Sequence, residues 1–428
     1  MRLYKMELYK ICSKKIFIVS ALAAIIIMLL YFGSFVIGAE TTIDGVKYTG
    51  YQAVKKDREI TEEFKGVLTD EKVTQIIEKF GFPSGVRQNY NTFLEKNYLN
   101  NFVMREFSDG YFHGWDDYHA GTCTYPIAET DLGKASEAVR KILVLEYSYG
   151  WNVFNSVIEI GCILGIFLML FTISPVFSEE NHINMRQILF TTKEGKTRDI
   201  TAKIMAGMTV AVGLYAIIFI VDFMLVWCVF GLDGRNCLYK WVMEENFVRN
   251  WNNYNNISTM YVKDFVWLVI VFCFLGMVEA AAIILYFSAH SGSPFQSVIT
   301  SALCLFAPIC LNILGQGNYN STLFIVGQLF DVLLLGIAIT SFIPDFASKA
   351  EKFIIKMLCC ILPLSAGIYL RKFFPFYYTL PVVMIITEGY GDIDVYLSRY
   401  PWIRGSMFLF VVILSAAFVV CSWKKYRN

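Results

Sequence analysis

Residues 177–203 read FSEENHINMRQILFTTKEGKTRDITAK, a polar island between two long apolar runs. The island opens on paired acids, Glu179 and Glu180. It passes through a short amphipathic piece, Met185-Arg186-Gln187-Ile188-Leu189-Phe190, and ends in a basic cluster of Lys193, Lys196, Arg198 and Lys203. Apolar runs of about 20 residues cross a bilayer, and short Lys/Arg-rich loops between them stay in the cytoplasm. The stretch therefore reads as a cytoplasmic platform with a membrane helix on either side.

Composition agrees. Of 428 residues, 56% are hydrophobic and only 17% charged, with a mean hydropathy of +0.50. Soluble domains are nearer about a quarter charged, so the chain reads as a polytopic, all-α membrane protein. A net charge of +1 offers no basic surface for nucleic acid. The first apolar run lacks a small-residue cleavage site and reads as a retained first span.

The chain divides as follows. Residues 1–15 are basic and amphipathic, with Tyr4, Leu8 and Ile11 at helical spacing. They read as an interfacial helix or as an ordinary positive-inside flank. Spans are expected at 16–37, 151–177, 204–232, 265–287 and 296–314, with a last one at 402–423. Residues 322–343 and 353–370 are apolar runs that either cross or are re-entrant. Residues 38–149 are expected to form an extracytoplasmic domain, 178–203 the platform, and 233–264 and 371–401 outer loops. Both termini fall in the cytoplasm whether the chain crosses six or eight times.

Within the outer domain, Asp70 to Phe80 predicts a helix. Acids lead it, Val73, Ile76, Ile77 and Phe80 form one apolar stripe, and Gly81 stops it. A second helix is expected near residues 51–65, residues 89–115 are ambiguous, and residues 136–149 are expected to run helically into the second span.

Four acids fall inside apolar runs: Glu159, Asp222, Glu279 and Asp331. Intramembrane carboxyls face the bundle interior or a water-filled path. These four are candidates for a translocation route, the alternative being hydrogen-bonded packing between helices. No Lys or Arg lies deep in the same spans, which argues against a buried ion-pair network there. His113, Asp116, Asp117 and His119 gather two imidazoles and two carboxylates in seven residues. The spacing matches no recognised zinc motif, and a solvated aromatic loop is the preferred reading. Cys123 and Cys237 fall in segments assigned outside, so a disulfide between them is left open.

Catalytic machinery is not evident. Gly195-Lys196-Thr197 resembles the end of a phosphate loop, but the first glycine of that motif would be Phe190, and the soluble strand–loop–helix context is missing. No nucleophile–base pair or hydrolase motif occurs near a span. The chain carries no nucleotide motif of its own and is not expected to be an enzyme.

The pattern FSEE…ILFTTKEGKTRDITAKI resembles the first cytoplasmic loop of ABC-2-type permeases, the membrane subunits of bacterial ABC exporters. The turn Ser288-Ala289-His290-Ser291-Gly292-Ser293-Pro294-Phe295 between two spans, of the form S-x-x-x-x-S-P-F, is also similar to that family. Where many members carry a glycine shortly after the acids, this chain has Ile183, Asn184 and Met185. The resemblance covers about two thirds of the chain and implies an ABC-2 (type V exporter-like) bundle of six to eight transmembrane helices. It implies a separate ABC ATPase subunit that holds ATP and magnesium, a second permease copy or a paralogous permease, and contact with membrane lipid. The segment 1–15 would be the elbow helix. Met185, Ile188, Leu189 and Phe190 would form the apolar face of a coupling helix that Glu179 and Glu180 cap or tether. Arg186, Lys193, Lys196 and Arg198 would meet the ATPase or lipid phosphates. The function so implied is ATP-driven export of an amphipathic substrate, an antimicrobial peptide being the favoured subclass. The alternative is a non-transporting sensor or mechanotransmission subunit acting through its outer domain.

Overall fold

Chain order in the computed structural model begins with α1 (Arg2–Cys12), which ends at a break before Lys14, and continues into α2 (Lys15–Ile37). The description covers residues 2–85, 93–94, 96–112, 118–119, 121–138, 140–192, 195–238, 260–315, 330–340, seven positions between 354 and 365, and 401–427. The spacing of Tyr4, Leu8 and Ile11 places them on one face of α1. Ile11 is buried, Tyr4 and Leu8 pack against the core, and the Tyr4 hydroxyl donates to Thr209 Oγ1 at 3.0 Å.

A small domain follows. The hairpin β1 (Glu40–Ile43) with β2 (Val46–Thr49) turns at Asp44-Gly45, both of positive φ. Helices α3 (Tyr51–Glu63), α4 (Asp70–Phe80) and α5 (Tyr98–Phe107) pack behind it. The predicted helix at 70–80 forms as expected: the Thr69 side chain caps its first turn and Gly81 ends it at φ +69°. The ambiguous 89–115 region yields α5, closed by a capping box between Asn97 and Asn100. The remaining elements are β3 (Gly66–Val67), β4 (Ser84–Gly85), β5 (Phe93–Leu94), β6 (Tyr111–Phe112), β7 (Tyr118–His119), α6 (Asp131–Ala138) and β8 (Val144–Leu145).

One expectation here needs correction. Residues 136–149 do not run helically into the membrane segment. Helix α6 stops at Ala138, and Val144-Leu145 pairs antiparallel with Gly66-Val67. The strand pairing satisfies backbone groups that a helix would have satisfied internally, and it brings the chain back across the domain before α7 (Tyr149–Ile173) begins.

Beyond it lie α8 (Pro175–His182), α9 (Met185–Leu189), α10 (Arg198–Val229), α11 (Val262–His290), α12 (Pro294–Gly315), α13 (Phe330–Thr340) and α14 (Pro401–Arg427). Five stretches among the described residues are long and apolar enough to cross a bilayer: α2, α7 continuing through Pro175 into α8, α10, α11 and α14. Pro175 sits at the first position of α8, where its missing N–H is not needed, so the apolar helix continues with only a joint. Of the two candidate segments between α12 and α14, only α13 and scattered residues are described. The expectations for 353–370 and 371–401 lie almost entirely outside the described residues.

Helix α11 is the axis of the bundle. In its most apolar window 72% of residues are buried, against 11% in α2, which lies at the edge. It packs on α7, α10, α12 and α14. Rings of Phe272 and Phe408 lie 4.8 Å apart, and those of Tyr286 and Phe418 lie 5.0 Å apart, so α11 and α14 run parallel. Both termini therefore reach one end of the bundle, the terminal face, while the small domain covers the opposite end, the domain face.

Candidate functional site

Glu180 sits at the centre of a buried polar node on the terminal face. Its Oε2 accepts from Lys203 Nζ at 2.8 Å and from the Tyr426 hydroxyl at 2.7 Å. Its Oε1 accepts from Lys10 Nζ at 3.4 Å. Lys203 also donates to Asp199, one turn before it on α10. Lys203 is 0% exposed. The four helices α1, α8, α10 and α14 thus meet on one carboxylate. Glu7 on α1 lies close by, and its burial raises its pKa against the opposing pull of Lys10. An unpaired charge in such a place costs several kcal/mol, so the partners come as a set.

Around the node, α8 is fastened to the end of α11. Ser288 Oγ donates to Ser174 O at 2.6 Å and accepts from Phe177 N at 3.0 Å, while Asn181 Nδ2 donates to Ser291 O at 3.0 Å. Lys14 closes the rim on Glu179 at 2.7 Å. The short helix α9 hangs from this clamp. Arg186 donates to Tyr426 O at 2.7 Å, and its guanidinium lies 5.0 Å from the ring centres of both Phe190 and Tyr426. Phe190 and Leu189 are half-buried, whereas Ile183, Met185 and Ile188 are exposed, Ile188 at 66%. An exposed apolar surface thus stands beside the hydrogen-bonded clamp.

These contacts revise the roles expected for the platform. Glu179 and Glu180 do not cap α9: Asn184 occupies that position in the left-handed region with no side-chain cap, and the two acids point to Lys14 and Lys203 instead. Arg186 is engaged with Tyr426 and is not directed outward. Lys203, read with Lys193, Lys196 and Arg198 as the platform's basic cluster, is buried, because α10 begins at Arg198 and carries Asp199 and Lys203 into the helix packing. An ion-pair network is therefore present at the end of the bundle. Lys196 and Arg198 are exposed. Lys193 lies outside the described residues.

Three of the four intramembrane acids have described side chains. Asp222 and Glu279 are fully buried, and neither carboxylate has a hydrogen-bond partner among the described residues. Asp222 lies over Gly161 of α7: a Cβ added there would sit 3.1 Å from its Oδ2 and 2.6 Å from Ile218. Glu159, two residues earlier on α7, is half-buried. Glu279 is seven residues from both Phe272 and Tyr286, so it shares their face toward α14. Asp331 is on α13, and its side chain is outside the described residues.

The disulfide left open between Cys123 and Cys237 is not formed, and both cysteines are free. Cys123 is exposed, while Cys237 is buried and its thiol donates to Val144 O at 3.1 Å. His113, Asp116 and Asp117 lie outside the described residues, and His119 ends β7. No group of three or more His, Cys, Asp or Glu that could hold a metal occurs among the described residues.

Sequence reasoning did not find Tyr426. Its only signal is an aromatic set in the basic run Lys424-Lys425-Tyr426-Arg427, which reads as a membrane stop. No protein-family model, curated protein or solved structure matches this chain.

Proposed function

We propose that this chain is the membrane subunit of an ATP-driven exporter of the ABC-2 type, with the terminal face in the cytoplasm. The observation that carries the reading is α9: a five-residue helix with Met185 and Ile188 exposed, held by Arg186 to the last helix and by the Glu180 node to α1 and α10. Apolar side chains on a firmly braced support suit docking into a groove of a separate ATPase subunit, which would hold ATP and magnesium. Force applied at α9 would reach four helices through one buried carboxylate. A second copy or a sister permease would complete the transporter, and rocking of the two bundles would give alternating access. The domain face suits an amphipathic cargo, an antimicrobial peptide being the preferred class.

A second reading is favoured by the burial of Asp222 and Glu279. Both are sealed within the helix packing rather than set along an open path. That suits a subunit that transmits ATP-driven motion to the domain face, or senses a ligand there, without carrying cargo.

The test is capture of partners by the full chain in gentle detergent, wild type against Met185→Asp/Ile188→Asp. Co-purification of an ATP-hydrolysing subunit with wild type and its loss in the variant supports the docking role. No ATPase with wild type removes the exporter reading and leaves the ligand sensor in its place. ATPase capture without ATP-dependent accumulation of peptide in inverted vesicles selects the second.

A further inference from the structure

A charged cleft of about 330 Å³ opens on the domain face, between α3, the end of β8 and the turn that follows α10. Lys55, Arg58 and Lys65 bring three cations to it. Glu59, Glu62, Glu146 and Asp233 bring four acids. Most of these charges are paired across the cleft or along α3: Arg58 with Asp233 at 3.3 Å, Lys65 with Glu62 at 3.2 Å, and Lys55 with Glu59 at 3.9 Å. Glu146 accepts from Gly234 N at 2.8 Å. All three ion pairs are solvent-exposed, with each side chain at least 40% accessible. Such pairs are weak and exchange readily for a ligand that offers both signs.

Depth decides what that ligand is. Val229, the last residue of α10, lines the cleft, and Glu146 and Tyr147 stand just before the start of α7. The cleft is therefore within a turn of the ends of two membrane-spanning helices, the level of the headgroup layer. Ile217, Ile220, Met224 and Trp227 follow one another at three- and four-residue spacing down α10, and all are exposed. The stripe lies on the far side of α10 from Val229, about 120–180° round the helix, and so faces the surrounding acyl layer, while the Arg58 guanidinium lies against Gly231 just past the helix end.

We propose that the cleft binds the headgroup of a phospholipid that carries both a phosphate and a primary ammonium, its acyl chains passing into the surrounding bilayer. The phosphate would accept from Lys55, Lys65 and Arg58. The ammonium would donate to Glu62 and Glu146, for which a quaternary ammonium has no N–H. The assignment is independent of any ATPase partner.

The experiment uses the full chain reconstituted in vesicles of equal phosphatidylethanolamine, phosphatidylcholine and phosphatidylglycerol, then extracted and weighed intact by native mass spectrometry. Phosphatidylethanolamine is expected to be retained about tenfold over either competitor, in keeping with charge-assisted hydrogen bonds. Lys55→Gln/Lys65→Gln, at exposed positions, should abolish that excess while the unfolding temperature stays unchanged. Glu62→Gln, a single neutral change, should lower it and leave phosphatidylcholine untouched. Equal retention of the three lipids, or an excess that survives the lysine changes, overturns the proposal. Full displacement by soluble O-phosphoethanolamine at matching concentration overturns the part assigned to the acyl chains, and failure to displace supports it.

Discussion

Lys203 Nζ donates to Glu180 Oε2 across 2.8 Å, with both side chains withdrawn from solvent and Asp199 on the other side of the ammonium. Removing the cation leaves two buried carboxylates facing each other. Lys203→Met is therefore expected to destabilise the folded bundle by about 3–5 kcal/mol, the range for breaking one side of a buried pair. Thermal unfolding in detergent measures it. Adding Glu180→Gln and Asp199→Asn should recover most of the loss, and a Lys203→Met variant as stable as wild type would refute the buried node.

Cys123 and Cys237 should behave as opposites. A maleimide added to the folded protein is expected to label Cys123 within minutes and to spare Cys237, whose thiol is buried and pushed up to about 12. Unfolding in denaturant should expose the second site. A mobility change on reduction that is lost in Cys123→Ser would instead indicate a disulfide.

Asp109 predicts a local acid transition in the small domain. Its carboxylate accepts from Thr122 N at 2.7 Å, from Cys123 N at 3.1 Å and from the Thr122 hydroxyl, and these donors hold it down at about 2. A depressed carboxyl stabilises the fold above its unfolded value of about 3.9. That contribution fades as pH falls from there toward about 2. Amide exchange at Thr122 and Cys123, corrected for intrinsic rates, should be steady from neutral pH down to about pH 4 and quicken below it. Asp109→Asn should remove the step, and a step near neutral pH would contradict the assignment.

Gly161 makes room for Asp222. Gly161→Leu should separate α7 from α10, since even a Cβ would meet Ile218 at 2.6 Å, and overpacking of this kind costs about 1–3 kcal/mol. Asp222→Asn, which keeps the shape, should unfold within a few degrees of wild type. If the acid serves transport, Asp222→Asn should lose ATP-dependent uptake while retaining the ATPase partner; unchanged uptake would assign it to packing alone.

Much of the frame was legible in the chain because its signals are local. Apolar runs longer than about 18 residues mark spans irrespective of what surrounds them, and α2, α10, α11 and α14 fall where hydropathy places them. The stripe on α4 and the spacing of Tyr4, Leu8 and Ile11 on α1 are read from helical period alone. The strand Val144-Leu145 was not legible, since its partner Gly66-Val67 lies nearly eighty residues away and two-residue strands carry no period.

The candidate site divides in the same way. Local pattern alone places a short amphipathic helix, with paired acids before it and cations after it, between two apolar spans. Which charges meet is set by helix packing. Glu180, Lys203 and Tyr426 come from three helices, with Glu180 and Tyr426 separated by 246 positions. Hydropathy and spacing report which side chains share a helix face. They do not report which faces are pressed together, and it is that contact, by excluding water, that turns a loop of exposed charges into a buried clamp.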